Sequence, residues 1–397
     1  MARDFLRDEI SVEIVAKRSM SAHQSKMNQP FTCGHASAPF WRDAASQCLQ
    51  QAGAGPDGAN LGFVYVTDHL ARNVGELIDF LRRKTGIAHW VGSVGTGVSA
   101  TGAEYHHRPA ISIMLCSFNA AHFRVFSGLR APPDLERLSL HFGDAPANFA
   151  VVHGDPGNHE LPRLVSDFAD HMESGFIAGG LTSSRFERMQ IADGPVKGGL
   201  SGVMFSEEVV VATRLTQGCL PIGPRHVITS SRQNIVIELD GRAALDVLRA
   251  DVGETTWDNL QTMGGTLFAG LPIKGGCGDD YLVRNLVGVD PVNKVLAISD
   301  VAEQGGRLMF CRRDADAARQ DMARMLDSIK SGLYRRPRGA VYYSCVGRGK
   351  NLFDLPSEEL KMVSQSLGEI PLVGFFCSGE ISHNRLYGYT GVLTLFL

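Results

Sequence analysis

Cys345 lies in a segment whose residues could carry nucleophilic chemistry. The segment reads YYSCVGRGKNLF, residues 342–353, and Cys345 stands where a buried strand is predicted to end. A cysteine nucleophile needs a low thiol pKa and a nearby base. Arg348 is a positive neighbour in the sequence, and His153 or His383 is a base that the fold would have to bring close. Three interpretations of Cys345 therefore stay open: a catalytic nucleophile, a contact in a ligand pocket, and a packed residue of the core.

Three similar stretches of the chain are predicted to position such residues. Each stretch predicts a strand, an amphipathic helix, a second strand and a closing strand. The helices are predicted at Gly75–Arg83, Leu161–Met172 and Glu358–Leu367. The first strands are predicted to begin 29, 30 and 33 residues before a glycine of the second strand, counting from Phe63 to Gly92, Phe149 to Gly179 and Val341 to Gly374. These spacings indicate one strand-helix-strand-strand unit used three times.

The loops after these strands form the predicted binding site. Aligning the copies by their strand starts puts Thr67, His153 and Cys345 past the carboxyl ends of the first strands, and glycine-rich turns follow the second strands. Ligands of α/β sheets bind beyond such ends, where glycine allows close backbone approach. The alternative is that these glycines only shape turns. The predicted ligand-binding residues are Cys345, Gly347, Arg348, Gly349, Cys377, Ser378, Glu380, His153 and Thr182.

Arg348 and Glu380 suggest the chemical class of the ligand. The third copy should bring both residues to one sheet edge, because a helix between two strands makes a parallel crossover natural. The Arg348 guanidinium suits a carboxylate, and the Glu380 carboxylate could hold an amine. The predicted ligand is therefore an amino acid or a similar zwitterion. The alternative is an Arg348–Glu380 salt bridge that closes the turn, which contributes ~0–1 kcal/mol when exposed.

The region between the second and third copies predicts a duplicated antiparallel meander. One half runs from VVVATRL to the helix RAALDVLR, the other from YLVRNLVGV to the helix DADAARQDMARMLDSIK, and VGETTWDNLQTMGG is predicted to join them as a helix. The predicted fold class is therefore α/β in the mixed α+β sense, with two modules of mixed β-sheets flanked by helices. The predicted division is a tail at residues 1–28, one module at 29–255 and another at 256–397.

Composition and missing motifs argue against several classes of function. A formal net charge of −3 gives no reason to expect nucleic acid or an anionic membrane as partner. The acidic N-terminus lacks the apolar core of a signal peptide, and no apolar run reaches the ~18 residues that span a bilayer, so a cytoplasmic location is predicted. Eight cysteines without C-x-x-C spacing predict free thiols and no zinc site. Nucleotide loops, hydrolase elbows and metalloprotease motifs are also missing, so no enzymatic turnover is predicted.

Several long motifs resemble the FIST domain family. The segments GGLSGVMF, TQGCLPIGPRHVIT and NIVIELDGRAALDVL look like the N-terminal FIST domain. The segments GVDPVNKVLAISDVAEQGGRLMFCRRDADAARQDM, SCVGRG and PLVGFFCSGEISHNRLYGYTGVLTLF look like the C-terminal FIST domain. Together the two resemblances cover about residues 31 to 397.

The resemblance implies a cytosolic sensory protein that binds a small ligand, with amino acids as one class, and signals through another protein such as a histidine kinase. Some bacterial relatives are haem-binding nitric-oxide sensors, so haem is a candidate cofactor. Two other classes of function compete with the sensory one. They are a thiol-dependent enzyme that uses Cys345 and a scaffold that binds only proteins.

Overall fold

The structure, a computed structural model, describes residues 14–15, 30–253, 257, 266–273 and 281–397. Most of the predicted tail and of the predicted joining helix VGETTWDNLQTMGG lies outside these residues. The fold is mixed α/β, as predicted. The chain forms two compact units: unit 1 comprises Met1–Thr216, Met322–Leu386 and Thr390–Leu397, and unit 2 comprises Gln217–Asp321 and Tyr387–Tyr389. The predicted boundary after residue 255 falls inside unit 2, so it does not separate these units.

The elements are numbered here in chain order over the described residues. The α-helices are α1 Trp41–Ala52, α2 Val74–Thr85, α3 Leu161–Asp170, α4 Ala244–Val252, α5 Ala315–Ser331 and α6 Glu358–Leu367. The strands up to residue 217 are β1 Ile14–Val15, β2 Thr32–Ser37, β3 Leu61–Thr67, β4 His89–Gly95, β5 Gly97–Ala100, β6 Ala103–His106, β7 Ala110–Cys116, β8 Phe123–Leu129, β9 His141–Phe142, β10 Ala145–Pro146, β11 Phe149–Gly154, β12 Phe176–Leu181, β13 Gln190–Ala192, β14 Pro195–Val196, β15 Leu200–Phe205 and β16 Val211–Gln217. The strands after residue 217 are β17 Cys219–Pro221, β18 His226–Arg232, β19 Ile235–Leu239, β20 Arg242–Ala243, β21 Leu267–Pro272, β22 Tyr281–Asp290, β23 Val295–Ile298, β24 Arg307–Arg313, β25 Gly339–Cys345, β26 Leu372–Cys377, β27 Glu380–Ser382, β28 Arg385–Tyr387 and β29 Thr390–Phe396.

The predicted helices form because their apolar residues recur at helical spacing. In α2 the buried residues are Val74, Leu77, Ile78 and Leu81, which make one stripe along the helix. The helix ends at Gly86, whose backbone is left-handed with a φ of 74° and whose N–H donates to the Arg82 carbonyl over 2.8 Å. The helices α2, α3 and α6 lie at the three predicted places, and the bounds of α6 match the prediction.

Unit 1 contains three mixed sheets, each built around one predicted copy. Sheet 1 has the strand order β14-β13-β4-β3-β7-β2, sheet 2 has β28-β27-β12-β11-β15-β8, and sheet 3 has β1-β16-β29-β25-β26-β5-β6. In every copy the first two strands pair in parallel, and the helix between them makes the crossover. The closing strand of each copy, β7, β15 or β29, pairs antiparallel with the first. The predicted strand-helix-strand-strand unit is therefore confirmed three times.

The predicted glycines of the second strands occupy equivalent register positions. Gly92 is the partner of Val64, Gly179 of Val152 and Gly374 of Tyr342. At each position a Cβ would overlap the carbonyl oxygen of that partner residue. Only a residue without a side chain therefore allows the two strands to approach in this way.

The predicted alignment of Thr67, His153 and Cys345 is wrong. Counted from the equivalent glycines, His153 corresponds to Tyr65 and Tyr343, whereas Thr67 and Cys345 lie two positions further along their strands. The reason is that β3 and β25 begin two residues before the starts predicted from sequence. A shift of two leaves every side chain on the same face of the strand, so apolar alternation does not reveal it.

A hairpin after the second strand of each copy joins the sheet of another copy. The hairpin β5–β6 pairs with β26 in sheet 3, β13–β14 pairs with β4 in sheet 1, and β27–β28 pairs with β12 in sheet 2. The first copy thus extends the third sheet, the third copy extends the second, and the second copy extends the first. This cyclic exchange links all three sheets.

The three sheets share one apolar core, and each packs helices against its other face. Residues of all three sheets, including Phe63, Val151 and Val373, form the shared cluster. At its centre the Tyr65 hydroxyl lies 2.7 Å from the Tyr343 hydroxyl and 3.2 Å from Nε2 of His153. The outer faces are covered by α1 and α2 on sheet 1, by α3 on sheet 2, and by α6 and the part of α5 from Met322 onward on sheet 3.

Unit 2 is an antiparallel sheet with α4 packed against it. Its strand order is β17-β24-β18-β19-β23-β22-β21, and β21 also pairs with β24, so the sheet closes on itself. The predicted antiparallel strands are therefore present. They do not form two modules, however, because both predicted halves contribute to this one sheet, while the first predicted strand, VVVATRL, mostly forms β16 of sheet 3.

In unit 2, a histidine of β18 binds two carboxylates and so links this strand to α4. His226 on β18 lies 2.7 Å from Asp240 through Nδ1 and 2.9 Å from Asp251 of α4 through Nε2. Burial alone would lower the His226 pKa, but the hydrogen bonds to the two carboxylates outweigh burial, so the pKa is raised. A raised histidine pKa contributes stability that is fully present below the unfolded pKa of about 6.5 and is lost as the pH rises through the folded pKa.

We expect His226→Asn to lower the free energy of unfolding by about 1–3 kcal/mol at about pH 6, because hydrogen bonds to charged groups contribute this much. The difference from wild type should shrink by at least half at about pH 9. Urea denaturation at both pH values measures it, and His171→Asn, at an exposed position, is the control. A difference that grows toward high pH would contradict the charged pairing.

Candidate functional site

The predicted site lies where β25 and β26 of sheet 3 end. Cys345 and Cys377, the last residues of the two strands, are register partners. The turn that follows is fixed by backbone hydrogen bonds: the Val346 N–H donates to the Cys377 carbonyl over 2.9 Å, and the Arg348 N–H donates to the Cys345 carbonyl over 2.8 Å. The structure therefore brings most of the predicted residues of the third copy together at one sheet edge.

Arg348 forms an ion pair with Glu359 and not with Glu380. Both members of the pair are buried, and Nε and Nη2 of Arg348 lie 2.7 and 2.6 Å from Oε1 of Glu359. The Tyr342 hydroxyl donates to the same carboxylate over 3.0 Å, and the Ser344 hydroxyl does so over 3.0 Å. This network keeps the Arg348 guanidinium buried. The Arg348–Glu380 salt bridge, which was the alternative suggested from sequence, does not form. Arg348 pairs with Glu359 of α6 instead.

Glu380, on β27 of sheet 2, is fully buried and bound to two residues of sheet 3. Its Oε2 accepts from the N–H and the hydroxyl of Thr390, over 3.1 and 2.7 Å, and its Oε1 accepts from the Cys377 thiol over 3.2 Å. Burial raises the pKa of Glu380 to about 7, although the hydrogen bonds from Thr390 and Cys377 act in the opposite direction. The carboxyl group therefore exchanges its proton near neutral pH.

The remaining predicted residues lie at separate places. His153 is in the shared core beside Tyr65, and burial lowers its pKa to about 3. Thr182 follows β12 of sheet 2, and its hydroxyl lies 3.1 Å from the Ser93 hydroxyl. Ser378 is exposed, although its N–H donates to the Leu181 carbonyl over 3.0 Å. His153 thus lies in the shared core, whereas Leu181, next to Thr182, contacts Ser378 of the third copy.

A pocket of about 340 Å³ opens beside Gly349. Its lining comprises Glu104, His106 and Arg108 from the β5–β6 hairpin region and Lys350 with residues 353–356 from the loop before α6. Gly349 has a φ of 51°, and a Cβ there would lie 3.1 Å from Oε2 of Glu104 and 2.6 Å from the Phe376 ring. Glycine at this position therefore lets the loop pass close to Glu104 and Phe376.

Two buried polar atoms of this pocket have no hydrogen-bond partner among the described residues. They are Oε2 of Glu104 and Nε2 of His106, whose side chains are 4% and 10% exposed. The two side chains approach each other to 3.5 Å through the other carboxylate oxygen, and the Glu104 backbone N–H is held by the Ser357 hydroxyl at 3.0 Å. Buried polar groups normally have hydrogen-bond partners. A carboxylate oxygen that lacks one at a cavity is therefore a suitable acceptor for a hydrogen-bond donor of a ligand.

The pocket also presents positive charge at its outer side. Arg108 and Lys350 are exposed residues of the lining, one on each wall. A buried carboxylate and two exposed cations therefore face one small cavity. In the corresponding hairpin of sheet 1, Lys197 stands at the position of His106 by register. Lys197 forms an ion pair with Glu187 at 2.6 Å. Lys197 therefore already has a carboxylate partner within the protein.

Sequence reasoning missed Glu104, His106 and Glu359. Glu104 and His106 share one face of a strand, two residues apart, but their hairpin belongs to the first copy and pairs in the third sheet. Glu359 did carry a local signal, because it stands beside Leu360 and four residues before Val363 on the buried face of α6. A carboxylate on an apolar helix face calls for a buried partner.

Comparison with known proteins gives consistent matches. The FIST N domain model matches residues 60–242 and the FIST C domain model matches residues 244–383. An uncharacterized protein of Mycobacterium tuberculosis (strain H37Rv) is 28% identical over 320 residues, which is 77% of this chain and 83% of the relative. An uncharacterized protein of Mycobacterium bovis is 27% identical over 320 residues, 77% of this chain and 82% of the relative.

The two family models meet near residue 243, inside unit 2, so the family domains do not coincide with the compact units. Among the described residues, no helix is long and apolar enough to cross a membrane. FIST domains are generally linked to sensing and signal transduction. From residue 60 to residue 383 the chain matches the two FIST models in order, and it belongs to the FIST domain proteins.

Proposed function

We propose that this protein is a cytoplasmic sensor that binds a small zwitterionic ligand, such as an amino acid, in the pocket beside Gly349. The signal would pass to a partner protein such as a histidine kinase. The single observation that supports the proposal most is the buried, unpaired Oε2 of Glu104 at the pocket floor. The family's general link to sensing supports the class of function.

The charges of the pocket favour a zwitterion over a simple amine or acid. An ammonium group would donate to Oε2 of Glu104, where a hydrogen bond to a charged acceptor is strong. A carboxylate at the other end of the ligand would face Lys350 and Arg108. The ligand class is the one predicted from sequence, but different residues bind it, because Arg348 and Glu380 already have partners inside the protein.

In this proposal some of the residues predicted from sequence lie at the ligand pocket and others lie outside it. Gly347 and Gly349 belong to the loop that passes the pocket, and Lys350 extends from it. Arg348 holds the loop to Glu359 of α6, and Cys345, Cys377 and Glu380 do not line the pocket. His153 and Thr182 do not contact the ligand.

Haem does not fit this pocket. Haem sites enclose the macrocycle in an apolar slot with an axial ligand such as histidine. Here His106 shares a cavity of about 340 Å³ with Glu104, Asp354, Arg108 and Lys350, and this lining is strongly charged. The proposal therefore includes no haem.

We expect Glu104→Gln to weaken binding by about tenfold or more, because a charge-assisted hydrogen bond contributes ~1.5–3 kcal/mol. The same substitution should raise the free energy of unfolding of the ligand-free protein by about 1 kcal/mol, because it removes a buried charge. Calorimetry with a panel of amino acids measures the first effect, and urea denaturation measures the second. Amines without the carboxylate and acids without the amine should each bind more weakly than the parent amino acid.

Glu187→Gln is the matched control, since Glu187 forms its ion pair near the corresponding hairpin of sheet 1. It should leave binding unchanged. Equal affinity of wild type and Glu104→Gln for every ligand found would place the site elsewhere. Absence of binding by any amino acid, amine or acid would overturn the ligand class itself.

A further inference from the structure

Cys345 and Cys377 form a pair of neighbouring thiols that the ligand pocket does not use. They are register partners on the parallel strands β25 and β26, so their side chains project from the same face. Neighbouring strands lie about 4.8 Å apart, and a disulfide bridges Cα atoms about 4.4–6.8 Å apart. Neither Cys345 nor Cys377 forms a disulfide in this structure. The spacing of the two Cα atoms therefore suits a disulfide.

A base is already in contact with one of these thiols. The Cys377 thiol donates to Oε1 of Glu380 over 3.2 Å, and Oε2 of Glu380 is fixed by Thr390. Burial, followed by the charge of Glu380 and the neighbouring Cys345, raises the pKa of the Cys377 thiol. Cys377 therefore stays protonated until an acceptor takes its proton during a reaction. Cys345 is the more accessible of the two, with 6% exposure against 0%.

We propose that Cys345 and Cys377 are a redox modification site, at which a hydroperoxide oxidises Cys345 and Cys377 then closes an intramolecular disulfide with Glu380 as the base. The site is independent of the proposed ligand. By register, the corresponding pairs in the other two copies are Thr67 with Gly95 and Asp155 with Thr182. The third copy alone combines two thiols with a carboxylate at this position.

The reaction balances in two steps. With hydrogen peroxide, the Cys345 sulfur attacks one oxygen, the S–O bond forms, the O–O bond breaks, and the other oxygen leaves as water with the thiol proton. The Cys377 sulfur then attacks the Cys345 sulfur while Glu380 takes the thiol proton. The S–S bond forms, the S–O bond breaks, and the departing hydroxide takes the proton from Glu380 and leaves as a second water. Two thiols and one peroxide give one disulfide and two waters.

Peptide mapping of the full chain tests this site directly. The protein is treated with hydrogen peroxide, its remaining thiols are blocked with N-ethylmaleimide, and it is digested with trypsin. We expect a cross-linked pair of the peptides 339–348 and 362–385, which contain Cys345 and Cys377, that disappears on reduction. In Cys377→Ser the sulfenic acid of Cys345 should persist and react with dimedone.

Glu380→Gln tests the base, and it should slow cross-linking by about a hundredfold, the usual contribution of a general base. Cys219 and Cys311 are the matched control pair, because they are buried on the adjacent strands β17 and β24 but two positions out of register. They should not cross-link under the same conditions. Oxidation of Cys345 in wild type without the cross-link would overturn the site, and an unchanged rate in Glu380→Gln would overturn the role of Glu380.

Discussion

Replacing Glu359 by alanine is expected to lower the free energy of unfolding by about 3–5 kcal/mol, because it breaks a buried ion pair with the Arg348 guanidinium. Arg348 is 0% exposed and bound to Glu359 through both Nε and Nη2. The Tyr342 and Ser344 hydroxyls lose the same acceptor. Urea denaturation of both proteins measures the difference.

Two further variants show whether the broken ion pair causes this loss of stability. Glu358→Ala removes a carboxylate from the neighbouring position of α6, which is not buried, and should cost less than about 1 kcal/mol. The double variant Arg348→Met with Glu359→Leu removes both charges and should be more stable than Glu359→Ala alone. A double variant that is no more stable than the single one would show that the lost packing, and not the broken ion pair, dominates.

Alanine at Gly374 is expected to destabilise the protein by about 3 kcal/mol, the upper end of the usual cost of overpacking a core. Its Cβ would overlap the Tyr342 carbonyl oxygen, and this oxygen belongs to the backbone of a central strand and does not move aside. Gly92→Ala and Gly179→Ala should have the same effect at the equivalent positions. Thermal or urea unfolding of the three variants measures it.

Gly194→Ala is the matched control, because a Cβ at Gly194 meets nothing within 4 Å and the residue is not in the left-handed region. Its free energy of unfolding should change by less than about 1 kcal/mol. If Gly92→Ala or Gly179→Ala proved neutral while Gly374→Ala did not, the three glycines would not be energetically equivalent.

Local patterns predicted the elements of unit 1 well, because the apolar spacing of α2, α3 and α6 already encodes the face each helix buries. The crossover rule then fixed the parallel pairing of the two strands on either side of each helix. The same patterns did not predict the compact units, and the boundary predicted after residue 255 lies inside unit 2. Unit 2 is inserted between β16 and the later part of α5, and no local spacing shows that the chain returns to unit 1 after it.

The site was harder to predict because its residues come from two copies of the repeat. Arg348 and Glu380 are the charged residues next to the predicted loops, but both are buried and already bound inside the protein, Arg348 to Glu359 of α6 and Glu380 to Thr390 of sheet 3. Glu104 and His106 reach the pocket only because the β5–β6 hairpin leaves sheet 1 and pairs with β26. Sequence proximity indicates which residues lie beside a loop, but not which strand of another copy will lie next to it.

The cyclic exchange of hairpins also sets the order in which the sheets can be completed as the chain leaves the ribosome. Sheet 1 draws its strands from residues 32–196, so all of its strands precede unit 2, which begins at Gln217. Sheet 2 must wait for β27 and β28 at residues 380–387, and the β5–β6 hairpin must wait for β26. Until then, β12 and the hairpin have unpaired edges, which are the groups that invite aggregation in a nascent chain. In this topology the edges of β12 and of the β5–β6 hairpin are covered only when the strands of residues 372–387 are available.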